Sequence, residues 1–415
     1  MENNKKILFV GSLCSNRVIN DIIFSSKTKV SQAAPKFYKL LIEGLADNIA
    51  VDRVKALTFL PISDLTHEKK AWFLPSESSG LIDYHYCHVI NIGLLKSVVA
   101  FIYSFIMVFI WGLYDRKNKI ILCDGLGFVS SFATILATRL NRIKVVGIIT
   151  DIPGVLSSSV SKDISFKAKV VSRLSKKLFM NFDGYLLLTE QMNGVINPKN
   201  RPYIVIEGVA DKSMVIKDNK LEAKSKERIL LYAGGINEIY GIKKLILAFM
   251  KIKGDDLRLH IYGHGPMEDE MGKYMTLDSR IFYGGILTNN EIVQKEIEAT
   301  LLVNPRSSKE EFTKYSFPSK NMEYMASGTP LLTTPLPGMP EEYNDYVFLF
   351  DDESEEGIKA ELEKVFARSK EELHEFGLKA KKFVLSQKNN HIQSGRLNKL
   401  LDKIQQSGKK NNYMF

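Results

Sequence analysis

Three side chains with complementary chemistry fall within five positions: Ser319, Lys320 and Glu323, in the run Ser316-Phe317-Pro318-Ser319-Lys320-Asn321-Met322-Glu323. Pro318 suits a helix start, where a missing N–H costs nothing. Gly328, followed by Thr329-Pro330, suits a helix stop. The stretch between them predicts about three turns. Met322, Met325 and Ala326 recur at i, i+3 and i+4 and form the face to be buried; Ser319, Lys320 and Glu323 fall on another. A lysine in the first turn opposes the helix dipole by about 0.3–1 kcal/mol. That placement makes sense where an anion is held by the free N–H groups of the helix start together with the lysine. Glu323, an acceptor one turn deeper, can then take the two hydroxyls of a ribose whose phosphates lie at the helix tip. The stretch reads as a cradle for a nucleoside diphosphate. It reads equally as a solvated Lys–Glu pair at i, i+3 on a surface helix.

A few other residues could join such chemistry. Gly234-Gly235, with Asn237 close behind, closes an apolar run, and glycines there let backbone N–H groups approach a phosphate or a sugar. Strand-to-turn glycines are common, so the pair alone is weak. Arg306 follows a strand end and is either a cation for the same anion or a loop partner of Glu310 or Glu311. His264, in Gly-His-Gly-Pro, reads as a turn residue. Asp255-Asp256 and Asp351-Asp352 lie at a helix-end turn and a strand end and read as solvated, so no metal site is expected. Cys14, Cys87 and Cys123 are scattered through apolar runs, with neither a disulfide framework nor metal-ligand spacing.

The run from Phe317 to Pro330 closely resembles the donor-binding helix of the retaining GT-B glycosyltransferases of family 4, nearest to the branch that builds bacterial surface polysaccharides. The resemblance is specific in the C-terminal half and weak elsewhere. It implies transfer of a hexose-type sugar from a nucleotide donor with retained configuration and without a metal. The donor would be UDP- or GDP-linked, a substrate rather than a cofactor, and the acceptor lipid-linked or an oligosaccharide. The implied donor-binding residues are Gly234, Gly235, Asn237, Ser316, Ser319 and Glu323. Two glutamates eight apart mark the family; the second matches Glu323, but the first falls at Tyr315. The family's Arg after the first glycine and Lys before Gly241 are replaced by Gly235 and Tyr240, so Arg306 and Lys320 are expected to supply the missing charge. Where the family often has a histidine beside the donor sugar this chain has Thr150, which leaves the neighbouring Asp151 as the polar candidate near the reacting carbon; a turn-starting Asp before Pro-Gly is its plainer reading. Two other outcomes stay open: a catalytically silent GT-B partner subunit, and a nucleotide-sugar epimerase.

Strands near five residues alternate with helices of ten or more, most regularly from Ile229 onward, which predicts βαβ units and parallel sheets. The expected architecture is α/β, two doubly wound Rossmann-like domains. The resemblance adds that they face a cleft, with the last helix crossing back to the first domain. The expected boundaries are 1–205 for the acceptor domain, 206–387 for the donor domain and 388–415 for the returning helix. Loops at strand ends are where open α/β sheets bind ligands, which makes Ser12 and Arg17, after the first strand, acceptor candidates. Lys217–Arg228 reads as a charged surface connection.

Val98–Tyr114 is an apolar stretch of uncharged residues bracketed by Lys96, Arg116, Lys117 and Lys119. It reads as a core helix or as a segment docked on a membrane surface; a span is disfavoured because the flanking strands should join one sheet. The 415 residues suggest two domains. Hydrophobic content of 45% and charged content of 25% are those of a soluble globular protein. The net charge of +10 suits phosphorylated substrates or an anionic membrane face; without a nucleic-acid module, no nucleic-acid partner is expected. The first residues read as a strand, not a signal peptide, so the expected location is cytoplasmic, with docking on the inner face of the plasma membrane if the apolar stretch is not core.

Overall fold

The computed structural model describes residues 5–27, 33–49, 53–63, 65–114, 118–155 and 166–410. The chain divides into two units, Met1–Val209 with Asn390–Phe415, and Ala210–Asn389. The expected joints stood at 205/206 and 387/388.

The first unit holds, in order, β1 (Lys6–Gly11), α1 (Asn16–Phe24), α2 (Ala33–Asn48), β2 (Val54–Thr58), β3 (Ala71–Trp72), β4 (Glu77–Ser79), β5 (Ile82–Tyr86), β6 (Val89–Ile90), α3 (Gly93–Leu113), β7 (Lys119–Asp124), α4 (Phe128–Asn141), β8 (Lys144–Ile149), α5 (Phe166–Phe179), β9 (Gly184–Leu187), α6 (Glu190–Ile196) and β10 (Tyr203–Val205). Eight strands form one sheet in the order β10-β9-β8-β7-β1-β2-β5-β4, parallel except for the edge hairpin β4–β5. Alternation along the strands sends Ile7, Phe9, Val54, Ala56, Ile120 and Leu122 to one face, where they pack with Leu41 and Leu45 of α2. The loop expected after β1 is helical: Ser15 accepts from the Val18 N–H as an N-cap, and Val18 and Ile22, one turn apart, are buried.

The second unit holds β11 (Arg228–Gly235), α7 (Ile242–Met250), β12 (Leu257–His264), α8 (Met271–Leu277), β13 (Ile281–Tyr283), α9 (Asn289–Glu298), β14 (Leu301–Asn304), α10 (Ser319–Ser327), β15 (Leu331–Thr333), β16 (Phe348–Leu349), α11 (Glu355–Phe366) and α12 (Lys370–Gln387). Its six strands are all parallel, in the order β13-β12-β11-β14-β15-β16. Leu230 and Tyr232 serve the core on one face, while Ile229, Leu231 and Ala233 serve the other. Both units are therefore doubly wound.

The last helix, α13 (Asn390–Lys410), belongs to the first unit. Leu397, Leu400, Leu401 and Ile404 enter that unit's core beside α2. Close approach is possible because residue 44 is glycine: a Cβ there would lie 2.2 Å from the Asn390 carbonyl oxygen.

Two readings of the sequence need correction. The 217–228 connection is not merely solvated. Asn219 is buried and donates to the Ser327 carbonyl (2.9 Å) and the Thr329 hydroxyl (3.1 Å). Lys224 donates to the carbonyls of Ile297 and Ala299 and to Thr329 Oγ1, at 2.8, 3.0 and 2.7 Å. The segment thus ties down the carboxyl ends of α9 and α10. Nor is the apolar stretch a core helix: only 11% of its most apolar window is buried.

Candidate functional site

In the second unit the chain runs outward from β11 in one direction through β12 and β13, then returns to β14 on the other side. The point of reversal lies between β11 and β14, where open α/β sheets bind ligands outside the carboxyl ends of the strands. Gly234 and Gly235 end β11 there, and Arg306 follows β14 by two residues.

The Arg306 side chain is held by rings rather than acids. Its guanidinium lies 4.8 Å from the ring centre of Tyr240 and 5.4 Å from that of Phe312. Neither Glu310 nor Glu311 pairs with it among the described residues, and its buried Nε has no hydrogen-bond partner there. Burial without a counter-charge pulls the guanidinium below its usual value, with Tyr240 and Tyr232 opposing the shift. A desolvated cation with an orphaned donor is costly unless an anion joins it. Tyr240 stands where the resembled family carries a lysine, and here it is the platform under the arginine.

The backbone around Arg306 is over-determined. Gly241 has φ +78°, and a Cβ on it would sit 1.9 Å from the Pro305 carbonyl oxygen, so only glycine lets the turn before α7 lie against this loop. On the other side Glu353 accepts from Ser307 Oγ (2.7 Å) and the Ser308 N–H (3.0 Å). Burial works against that carboxylate's charge, but the serine bonds outweigh it and its pKa is lowered.

Helix α10 is fixed to both strand ends. Asn304 donates to Asn321 Oδ1 at 2.7 Å, Asn321 donates to Thr333 Oγ1 at 3.3 Å, and Thr333 closes the triangle on the Asn304 carbonyl at 3.2 Å. All three are buried. The Tyr324 hydroxyl donates to the Ala233 carbonyl (3.0 Å) and accepts from the Ala233 N–H (2.7 Å), joining the helix to the glycine turn. None of these residues was singled out in the sequence. Only their polarity at positions facing a core could have flagged them.

The start of α10 carries no side-chain cap; Pro318 precedes it, and Gly328 (φ +84°) ends it. Met322, Met325 and Ala326 are buried. Lys320 Nζ lies 3.0 Å from the Glu323 carboxylate, so the i, i+3 pair is formed on a half-exposed face. Burial pulls the lysine down, but the Glu323 and Glu296 carboxylates outweigh it and its pKa is raised. Ser319 is exposed, Ser316 donates to the Phe312 carbonyl (3.0 Å), and Asn237 accepts from the Ile239 N–H (3.2 Å) as a turn cap. The His264 imidazole is paired with Glu268.

Residues 215–383 match the family model of Glycosyl transferases group 1. That domain carries every site feature just described. Over 96% of this chain and 99% of theirs, the fold matches sucrose-phosphate synthase from Thermosynechococcus elongatus (TM-score 0.68, 14% identity) and the apo lipopolysaccharide outer core galactosyltransferase WaaB (0.57, 15%). Anabaena HepE in complex with UDP matches over 96% of this chain and all of its own (0.63, 13%). A search of curated protein sequences gives no match. The fold is GT-B.

The remaining candidates belong to the first unit of this GT-B chain. Asp151 is half-buried, accepts from the Ile152 N–H at 2.7 Å, and burial raises its pKa. Ser12 donates to the Phe59 carbonyl at 3.1 Å. Arg17 is on α1 and bonds Glu77 through Nε (3.1 Å) and a terminal nitrogen (2.8 Å). That glutamate also accepts from Ser15 (2.5 Å) and Tyr86 (2.6 Å), which makes Arg17 part of an internal knot. The reversal point of the first sheet, between β7 and β1, holds a group the sequence reading missed. Asp124 is buried, accepts from the Tyr38 hydroxyl at 2.8 Å and the Leu126 N–H at 3.0 Å, and Tyr38 also meets Thr150 Oγ1 at 3.3 Å. Burial raises the Asp124 pKa against those bonds.

Proposed function

We propose that this protein transfers a sugar, with retained configuration, from a UDP- or GDP-linked donor to a lipid-linked or oligosaccharide acceptor. The setting would be surface polysaccharide synthesis at the inner face of the plasma membrane. One observation carries the reading: Arg306 is a cation seated against two rings without an acid partner among the described residues, beside the reversal point of the second sheet. A donor diphosphate supplies the missing charge there. Lys320 and the uncapped start of α10 take the same group from the other side, and Glu323, released from Lys320, receives the ribose hydroxyls. Charge that builds on the leaving diphosphate is neutralised by groups fixed before the reaction, the arrangement that costs least reorganisation. These cations do the work a metal does in other phosphate sites. Asp151 is the polar group assigned to the reacting carbon, and Ser12 and Arg17 to the acceptor, although the Arg17–Glu77 bond must open for contact.

The test is label transfer from a panel of nucleotide sugars to a membrane extract, with Arg306→Ala beside the unaltered protein. Product formed from one donor and lost in the variant supports the reading. Product undiminished in Arg306→Ala overturns it. Donor conversion without any acceptor would indicate an epimerase instead.

A further inference from the structure

The first unit carries an asymmetry that sugar transfer does not require. Helices α3, α4 and α5 lie side by side on one face of its sheet. Together they contain seven Lys or Arg and no Asp or Glu. α3 is 21 residues long with a mean hydropathy of 2.1 in its most apolar window. Its inner seam is small: Ser104, Val108 and Gly112 are buried toward α4, and Asn141 donates to the Phe109 carbonyl at 3.0 Å. Its outer stripe repeats every fourth residue, with Leu94, Val98, Ile102, Ile106 and Ile110 all exposed. Phe132, Leu136 and Leu140 of α4 and Val170, Val171 and Leu174 of α5 continue the exposed apolar surface. A patch this large on one unit marks an interaction site.

Beneath the carboxyl half of α3 is a cavity of about 500 Å³. One wall is apolar, made by Met107, Trp111 and Tyr114; the other is the sheet, bearing Lys6, Lys55 and His85. Two nearby acids are already engaged, Asp83 by Arg53 and Asp402 by Lys5, both at 2.8 Å. Lys119 is folded under the helix end, bonding the carbonyls of Trp111 and Tyr114.

We propose that this face docks on an anionic phospholipid bilayer, with α3 lying in the plane of the interface and the cavity receiving a lipid headgroup phosphate. The apolar stripe enters the acyl boundary and the surrounding cations meet the headgroups. α3 does not span: β5 and β7, before and after it, belong to the same sheet. A second copy of the chain is a poor occupant, because a two-fold contact would set an acid-free cationic face against itself. The inference does not depend on sugar transfer; a protein that transfers nothing still binds vesicles.

The experiment is vesicle flotation of the full chain with phosphatidylcholine alone and with added phosphatidylglycerol, read also by quenching of Trp111 with brominated lipid. Binding should be at least about tenfold tighter to the anionic vesicles. Ile102→Asp/Ile106→Asp changes only exposed positions, so it should keep the thermal transition and lose flotation. Lys55→Glu should float less and show weaker quenching. Recovery in the soluble fraction with both vesicles, equal binding to both, or a dimer abolished by the double aspartate variant while flotation persists would each overturn the proposal.

Discussion

The two sheets reverse direction in the same way, yet the groups at their reversal points have opposite character. In the second unit the reversal point offers Arg306, without an acid partner among the described residues, glycine backbone, and α10 starting uncapped. In the first it offers Asp124, without an ion-pair partner among the described residues and bonded to Tyr38, which also meets Thr150. One fold therefore carries two local chemistries: a desolvated cation in one unit, and in the other a buried carboxylate held by a tyrosine hydroxyl. The difference lies in a few residues at or just after strand ends, since the strands of both sheets are similarly apolar.

Perturbing the cationic site should have the largest effect. Arg306→Ala should lower kcat by about 10²–10³, the loss typical of one fixed electrostatic donor, with its thermal transition little changed. Arg306→Lys should recover only part, because an ammonium lacks the planar guanidinium that lies over Tyr240 and Phe312. Lys320→Ala should cost less, about 10–100-fold in kcat/KM, because that lysine also spends charge on Glu323. If the two losses rank the other way in steady-state kinetics, the grip lies at the helix start rather than at the arginine.

Asp124→Asn sharpens the other half of the comparison. On the proposal that the acceptor lies at this end of the first sheet, the buried amide keeps the shape, so donor affinity should hold while acceptor KM rises by about tenfold, or 1.4 kcal/mol. A change in donor affinity measured by calorimetry would mean that the two reversal points do not divide the substrates.

The smallest effect concerns stability. Burial pushes the Lys224 ammonium down to about 7, against about 10.4 in an unfolded chain. Between those values the unfolded state binds more protons, so stability rises as pH increases through that window. From pH 7 to 9 the gain should be about 2 kcal/mol, and Lys224→Met should flatten it in urea unfolding.

What could be read from sequence depended on how local the cause was. α10 was legible because Pro318, Gly328 and the Met322/Met325/Ala326 spacing act within one element. Arg306 was legible as a residue after a strand. Its seat was not, because Tyr240 and Phe312 come from different loops. The Asn304–Asn321–Thr333 triangle was invisible for the same reason: three polar residues make sense only once β14, α10 and β15 meet. α1 was passed over because Arg17 was read on a loop after β1, although Ser15 is what starts the helix. The exposed stripe of α3 is a packing outcome; hydropathy alone fits a core helix as well.

The central claim is that a diphosphate is gripped at Arg306. It is tested most directly by titrating UDP and GDP against the unaltered protein and Arg306→Ala in a calorimeter, with uridine and guanosine as controls. One diphosphate should bind far more tightly than its nucleoside, and the variant should erase most of that preference. A variant that binds the diphosphate as tightly as the unaltered protein would contradict the account.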